Sequence, residues 1–229
     1  MFNNKFPIYI LLIILFSCCI NCIKSKLIIN NYFYKKDDIL ENPIYLDMSE
    51  EYLYLNSKNL KKNNIVFVGD SLTRRFQINE FGENINVVNR GIFFDTTYGL
   101  MNRIDKNINN LDIDKLFIMI GINDIQYRED DEIIFNIKKI IEMSKAKNII
   151  IQSLLPVGEN KKKYKSRILS INNKLMELSV KKGCIYLDLY SFFIEDNNNI
   201  NQSYTRDGIH LNYYGYKRWF DLVQPIMQQ

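Results

Sequence analysis

Ile65-Val66-Phe67-Val68-Gly69-Asp70-Ser71-Leu72-Thr73 opens with four apolar residues and breaks at a glycine. A run this short, rich in β-branched and aromatic side chains and ended by a turn residue, reads as a buried strand. Gly69 permits a tight turn, and Ser71 then falls near the start of a helix, where backbone N–H groups face outward. Further apolar runs follow at Ile85–Val88, Leu116–Ile120, Ile149–Leu154 and Ile185–Leu189. Between them lie stretches with helical spacing, clearest over Asp130–Lys145 and Lys165–Lys181. Ile133, Ile134, Ile137, Ile140 and Ile141 share one face of the former, and Ile168, Ile171, Leu175 and Leu178 one face of the latter. Tyr213–Met227 has the pattern of a closing helix. Strands alternating with helices predict parallel βαβ units and a three-layer α/β/α sandwich on a five-stranded sheet.

Composition sets the bounds. The chain has 229 residues, 47% hydrophobic and 24% charged, with a formal charge of +4. That is ordinary for one globular domain with a sizeable core. Lysines are scattered among asparagines and isoleucines, with no basic face, so a nucleic-acid partner is not expected. Three segments are expected: 1–23 as a signal peptide or lipoprotein signal, 24–62 as a tether and lead-in, and 63–229 as the folded domain. The apolar run Phe6–Ile20 is flanked by Lys5 and Lys24 and is shorter than a bilayer span, as in an exported protein. An uncleaved anchor is the alternative. Cys18, Cys19 and Cys22 cluster at its end and leave only Cys184 in the domain, so no disulfide framework is indicated. Leu15-Phe16-Ser17-Cys18 resembles a bacterial lipobox, which implies a lipidated Cys18 and a membrane-tethered protein of the cell envelope. Secretion is the other outcome. Cys184 reads as a small buried hydrophobe opening the last strand. In the lead-in, Ser49-Glu50-Glu51 precedes a helical stretch to Leu60.

Chemistry-bearing groups in such sheets gather at the carboxyl ends of strands. Gly69-Asp70-Ser71 lies there; alone, its serine is as well explained as a helix cap. In Asn89-Arg90-Gly91-Ile92, Gly91 is either a turn residue or one whose N–H can approach a substrate oxygen. Asn123, in Gly121-Ile122-Asn123-Asp124, can cap a turn or donate its amide to an oxyanion. The single histidine, His210, stands three residues after Asp207, a spacing that lets the carboxylate reach back to the imidazole. A serine is a good nucleophile only beside a base, and histidine suits that task. The set of nucleophile, base, carboxylate and oxyanion donors is more specific than any one block.

With those blocks in view, the chain resembles the SGNH hydrolases of the GDSL esterase superfamily, whose four name-giving residues match Ser71, Gly91, Asn123 and His210. Asn89-Arg90-Gly91-Ile92, Ile118–Asp124, Ser153-Leu154-Leu155-Pro156 and Tyr204–Asn212 are similar to a branch near platelet-activating-factor acetylhydrolase-like proteins and bacterial carbohydrate acetylesterases. The resemblance implies a flavodoxin-like strand order, 2-1-3-4-5, with no metal or organic cofactor. It also implies a serine esterase. Ser71 would attack the ester, His210 would be the base and Asp207 would orient it. The backbone N–H groups of Ser71 and Gly91 and the Asn123 side chain would form the oxyanion hole. No Gly-x-Ser-x-Gly elbow is present, which excludes the α/β-hydrolase pattern. One histidine and one domain cysteine make a poor zinc site. Phe93-Phe94 stands where related sequences often carry a small residue, and Arg74-Arg75 follows the nucleophile block. The branch favours an acetyl ester of a carbohydrate. Phe93, Phe94 and Tyr98 could instead line a channel for a lysophospholipid or other lipid ester. A tethered binding module that has lost catalysis is the non-enzymatic alternative.

Overall fold

A computed structural model describes residues 38–59, 61–81 and 86–229. The segment read as an export signal, Cys18 and most of the tether lie outside the described residues. Helix α1 (Pro43–Lys58) leads into strand β1 (Asn64–Gly69) and the single turn α2 (Ser71–Arg74). Then come β2 (Val87–Gly91), α3 (Thr97–Asn107), β3 (Ile113–Met119), α4 (Asp130–Met143), β4 (Asn148–Gln152), α5 (Lys165–Lys182) and β5 (Ile185–Leu187). The short α6 (Tyr190–Phe193) precedes a two-stranded antiparallel ribbon, β6 (Ile194–Glu195) and β7 (Asn199–Ile200), and α7 (Tyr213–Met227) ends the fold.

The five strands β1 to β5 form one parallel sheet in the order β2-β1-β3-β4-β5. Alternation along β1 shows how both faces are covered. Val66 and Val68 join Leu100 and Ile104 of α3, Ile133 and Ile137 of α4, and Ile168 and Ile171 of α5. Ile65 and Phe67 point the other way, into Phe76, Phe193 and the Trp219, Phe220 and Val223 stripe of α7. The sandwich therefore has three layers, as the alternating pattern predicts. Phe67 stacks on Phe117 of the neighbouring strand at 4.4 Å. Trp219 is fully buried and its indole N–H donates to Gln152 Oε1 at 2.7 Å, so the polar end of the largest core side chain is satisfied.

Three local expectations are corrected. The second strand was expected over Ile85–Val88 but runs Val87–Gly91; Ile85 lies outside the described residues. It includes Asn89 and Arg90, whose polarity hides it from a hydropathy pattern. Arg90 is nonetheless buried, held by Asn56 Oδ1 and stacked over Tyr52. The lead-in helix starts at Pro43, because the Asn42 side chain accepts from the N–H groups of Ile44 and Tyr45 and proline suits the first helical position. Its Tyr45, Met48 and Tyr52 pack with Ile92. Cys184 is half-buried rather than a core residue, since β5 is an edge strand that follows the left-handed cap Gly183.

Candidate active site

Ser71 is the first residue of α2, directly after β1 and Asp70. The Asp70 carboxylate caps the turn by accepting from Leu72 N–H at 2.9 Å. It is almost fully buried, which pushes its carboxyl up to about 7; the Leu72 hydrogen bond opposes this and the charges of Asp95 and Asp124 add to it. Asn89 fastens α2 to β2: its side-chain nitrogen donates to the Thr73 and Phe76 carbonyls at 2.6 and 2.9 Å. That role is absent from the sequence reading. The available signal is an asparagine within a strand next to a glycine, a polar group that burial would oblige to find partners.

The 205–211 loop brings His210 to Ser71. His210 Nε2 lies 3.1 Å from Ser71 Oγ, and His210 Nδ1 lies 2.7 Å from Asp207 Oδ2. An ionised carboxylate only accepts, so the proton sits on Nδ1 and the Nε2 lone pair faces the serine. The other Asp207 oxygen accepts from the N–H groups of Ile209 and His210 at 3.0 and 2.8 Å. Burial pushes the Asp207 carboxyl up, but the His210 ring and these two N–H bonds outweigh it and hold it down at about 2. Further bonds brace the loop. Thr205 Oγ1 donates to the His210 carbonyl and accepts from Gly208 N–H, and Arg206 N–H also donates to the His210 carbonyl. Gly158 N–H donates to the Gly208 carbonyl at 2.8 Å, and Asn160 Nδ2 donates to the Asp207 carbonyl. Gly208 has φ 82°, a left-handed backbone that favours glycine.

Of the three expected oxyanion donors, two remain suited to the task. Ser71 N–H heads α2, among the amides that have no acceptor within a helix. Asn123 follows β3; its Nδ2 donates to the Asp95 carbonyl at 2.9 Å, and the same nitrogen carries a second N–H. Gly91 is corrected. It lies within β2, its N–H donates to Asn89 Oδ1 at 2.9 Å, and its carbonyl accepts from Tyr52 Oη at 2.6 Å. It is glycine for another reason: a Cβ there would sit 2.4 Å from the Arg74 nitrogen and 2.8 Å from the Thr73 carbonyl carbon. Gly91 thus sets how closely the serine-bearing turn approaches the sheet.

The next turn, 92–95, is tied at both ends. Ile92 N–H donates to the Gly69 carbonyl at 3.0 Å, and the Asp95 carbonyl receives Asn123. Asp95 is buried against Arg103 at 2.8 Å, and Asp124 accepts from Thr97 N–H and Oγ1. Burial pushes both carboxyls up to about 6 against those partners. Within the turn, Phe94 has φ 65° and is 42% exposed. A left-handed backbone costs a residue with a Cβ about 1–2 kcal/mol. Arg75 lies over the Phe93 ring at 5.8 Å, while Tyr98 faces Arg128 at 5.5 Å.

A small, mostly apolar cavity is lined by Asp70, Leu72, Ile122, Leu154, Pro156 and Ile209 among others. Its roughly 10 Å³ holds about one water-sized group. Leu72, Ile122 and Ile209 are the chain neighbours of Ser71, Asn123 and His210, which do not themselves line it.

Comparison with known proteins agrees with this geometry. The model of the GDSL-like lipase/acylhydrolase family matches residues 66–218. A Streptococcus pneumonia protein named as a platelet activating factor superposes with a TM-score of 0.74 at 23% identity, over 90% of this chain and 99% of that one. A GDSL-like lipase from Bacteroides thetaiotaomicron gives 0.72 at 22%, over 79% and 97%. An acetyl xylan esterase from Geobacillus stearothermophilus gives 0.61 at 19%, over 72% and 94%. No curated protein matches the chain in sequence. A serine, histidine and aspartate in hydrogen-bonding sequence, on a parallel sheet with this strand order and within the matched span, place the chain in the GDSL-like lipase/acylhydrolase family.

Proposed function

We propose that this acylhydrolase is a serine esterase that removes a short acyl group, acetyl, from a carbohydrate alcohol. The observation that carries the serine-esterase reading is the hydrogen-bonded series from Ser71 Oγ through the His210 ring to Asp207. The likeness to an acetyl xylan esterase supports the choice of an acetyl group on a carbohydrate.

His210 Nε2 takes the proton of Ser71 Oγ as that oxygen attacks the ester carbonyl. Asp207 holds the imidazole in the required tautomer and stabilises its protonated form. The tetrahedral oxyanion is received by Ser71 N–H and by the Asn123 amide. Collapse breaks the bond to the alcohol, which leaves with the proton from His210. A water molecule, deprotonated in turn by His210, attacks the acyl-serine, releasing the carboxylic acid and restoring Ser71.

The test is a chain-length series of p-nitrophenyl esters on wild type, Ser71→Ala and His210→Ala. A steep fall in kcat/KM beyond propionate, with both variants inactive and folded, supports the reading. A preference for long chains transfers it to a lipid ester. No turnover, together with no labelling of Ser71 by a fluorophosphonate, would leave a binding module instead. The proposed address is the cell envelope, through export by residues 1–23 and acylation of Cys18. The intact mass of the mature protein tests it.

A further inference from the structure

Arg103, Arg128 and Arg167 each face a carboxylate, of Asp95, Asp124 and Asp130 respectively. Arg75 and Arg206 are exposed, and neither guanidinium is paired with a carboxylate among the described residues. Both are tied through the backbone to Ser71 and His210. Arg75 N–H donates to the Ser71 carbonyl at 3.1 Å, and Arg206 N–H donates to the His210 carbonyl at 2.9 Å. Residues four apart in a helical turn are neighbours on one face, so Arg75 lies one turn along from Ser71. A further contact relates the two arginines. Tyr216 Oη donates to the carbonyl of Leu72, the residue after Ser71, at 3.0 Å. Burial pushes that hydroxyl up; the charge of Arg75 opposes the shift, that of Asp70 adds to it, and that of Arg206 opposes it. Both guanidinium charges therefore act beside the Ser71 turn.

Lysines extend the positive excess. Asn160 Nδ2 donates to the Asp207 carbonyl at 3.0 Å, and Lys161, Lys162 and Lys163 follow it in the chain. Glu159 is the one acidic residue of the 158–165 segment and is shared by Lys162 and Lys165. Lys161 and Lys163 have no carboxylate among the described residues. On the outer helices, by contrast, Lys139, Lys174 and Lys182 are all paired. Little negative charge offsets this excess near the serine. Asp207 is the one acidic residue of its loop and is bonded to His210, and Asp70 is buried with its carboxyl raised.

We propose that the enzyme selects esters whose alcohol part carries a negative charge, such as an acetylated sugar bearing a carboxylate or a phosphate, and that Arg75 and Arg206 recognise that charge. This inference rests on the esterase reading above. Unpaired positive charge at the site draws an anionic substrate in before contact. At contact, the planar arginine fork matches the oxygens of a carboxylate or phosphate.

The experiment compares kcat/KM for an acetylated methyl glucoside, the matching acetylated methyl glucuronoside and the matching acetylated glucoside 6-phosphate. Each is measured at about 0.01 M and about 0.15 M ionic strength, at which exposed charges act over about 30 Å and about 8 Å. Wild type is expected to prefer an anionic ester by at least about tenfold at the lower ionic strength, with the preference shrinking at the higher. The faster of the two anionic esters names the group that the arginines hold. The double variant Arg75→Gln/Arg206→Gln is expected to lose most of the preference, and Arg75→Lys/Arg206→Lys, which keeps both charges, to retain its salt dependence. Fluorophosphonate labelling of Ser71 checks that each variant is assembled. A wild type that turns over the neutral glucoside as fast as both anionic esters would overturn the proposal and leave the esterase reading standing. So would a glutamine variant that keeps the preference or loses equally on charged and neutral esters. Absence of turnover of every ester by wild type, with Ser71 unlabelled, would overturn the esterase reading and this inference with it.

Discussion

Ser71 Oγ and His210 Nε2 meet at 3.1 Å across 139 residues of chain. The contact therefore depends on two separate devices: the packing of α2 against β2, and the bracing of the 205–211 loop. Each can be broken without touching the serine or the histidine.

The loop device is tested at Asp207. In Asp207→Asn the oxygen facing His210 Nδ1 is replaced by an amide that can donate, which favours the wrong tautomer. Turnover should fall by about 10⁴-fold, as for other triads treated this way. The wild-type carboxyl is held at about 2, so its ionised form persists above pH 4. Any stability it adds is present above the ordinary carboxylate range and is lost as pH falls toward 2. Steady-state assays at pH 5 and 8 check both points; a loss below tenfold would remove Asp207 from the mechanism.

Asn123→Ala and Gly91→Ala separate an oxyanion donor from a spacer. The former should lower kcat by about 10²–10³ with the fold kept. The latter forces a methyl into the Thr73–Arg74 backbone and should cost roughly 1–3 kcal/mol of stability as well as slow fluorophosphonate labelling of Ser71. Urea unfolding and labelling rates distinguish them. A Gly91→Ala protein of full stability would contradict the spacing argument.

Tyr52→Phe removes the hydroxyl that donates to the Gly91 carbonyl at 2.6 Å in a buried setting. An unsatisfied buried carbonyl costs about 1–3 kcal/mol, so urea unfolding should show a loss of that order. No measurable change would mean that α1 does not brace β2.

Asp70→Asn addresses pH. The folded carboxyl is raised to about 7, whereas in the unfolded chain it falls in the ordinary range near 4. Between those values the folded protein keeps a proton that the unfolded chain has released, so wild-type stability declines as pH rises from about 4 to 7. The variant has no such proton. Its stability relative to wild type should therefore grow between pH 5 and pH 8, each tenfold difference in proton affinity being worth about 1.4 kcal/mol. Equal differences at both pH values would show that Asp70 does not titrate there.

The parts legible in the sequence were those with one dominant local signal. Ile133, Ile137 and Ile140 repeat at helical spacing and are almost fully buried, and the strands around Val66, Leu116 and Ile150 are apolar on both faces. Asp207 and His210 were legible because their relation is local. β2 was misplaced because its Asn89 and Arg90 are satisfied by partners distant in sequence, Thr73, Phe76 and Asn56. Gly91 was misread for the same reason: what it approaches, the Arg74 backbone, becomes its neighbour only after folding. The β6–β7 ribbon lies in an asparagine-rich stretch without periodicity, and the backbone of Phe94 leaves no mark in composition.

The seam between Gly158 and Gly208 carries a consequence for heat. A Cβ on Gly158 would come within 2.9 Å of the Gly208 Cα, and one amide-to-carbonyl bond joins the pair. Arg206 and Asp207 on the same loop are exposed, so His210 is held by polar bonds near the surface on that side, while Leu211 on its other side is buried. Segments held in this way open before the core does. Warming is therefore expected to loosen the Arg206–Asp207 side of the loop first, a local and reversible opening below the temperature at which the sheet unravels.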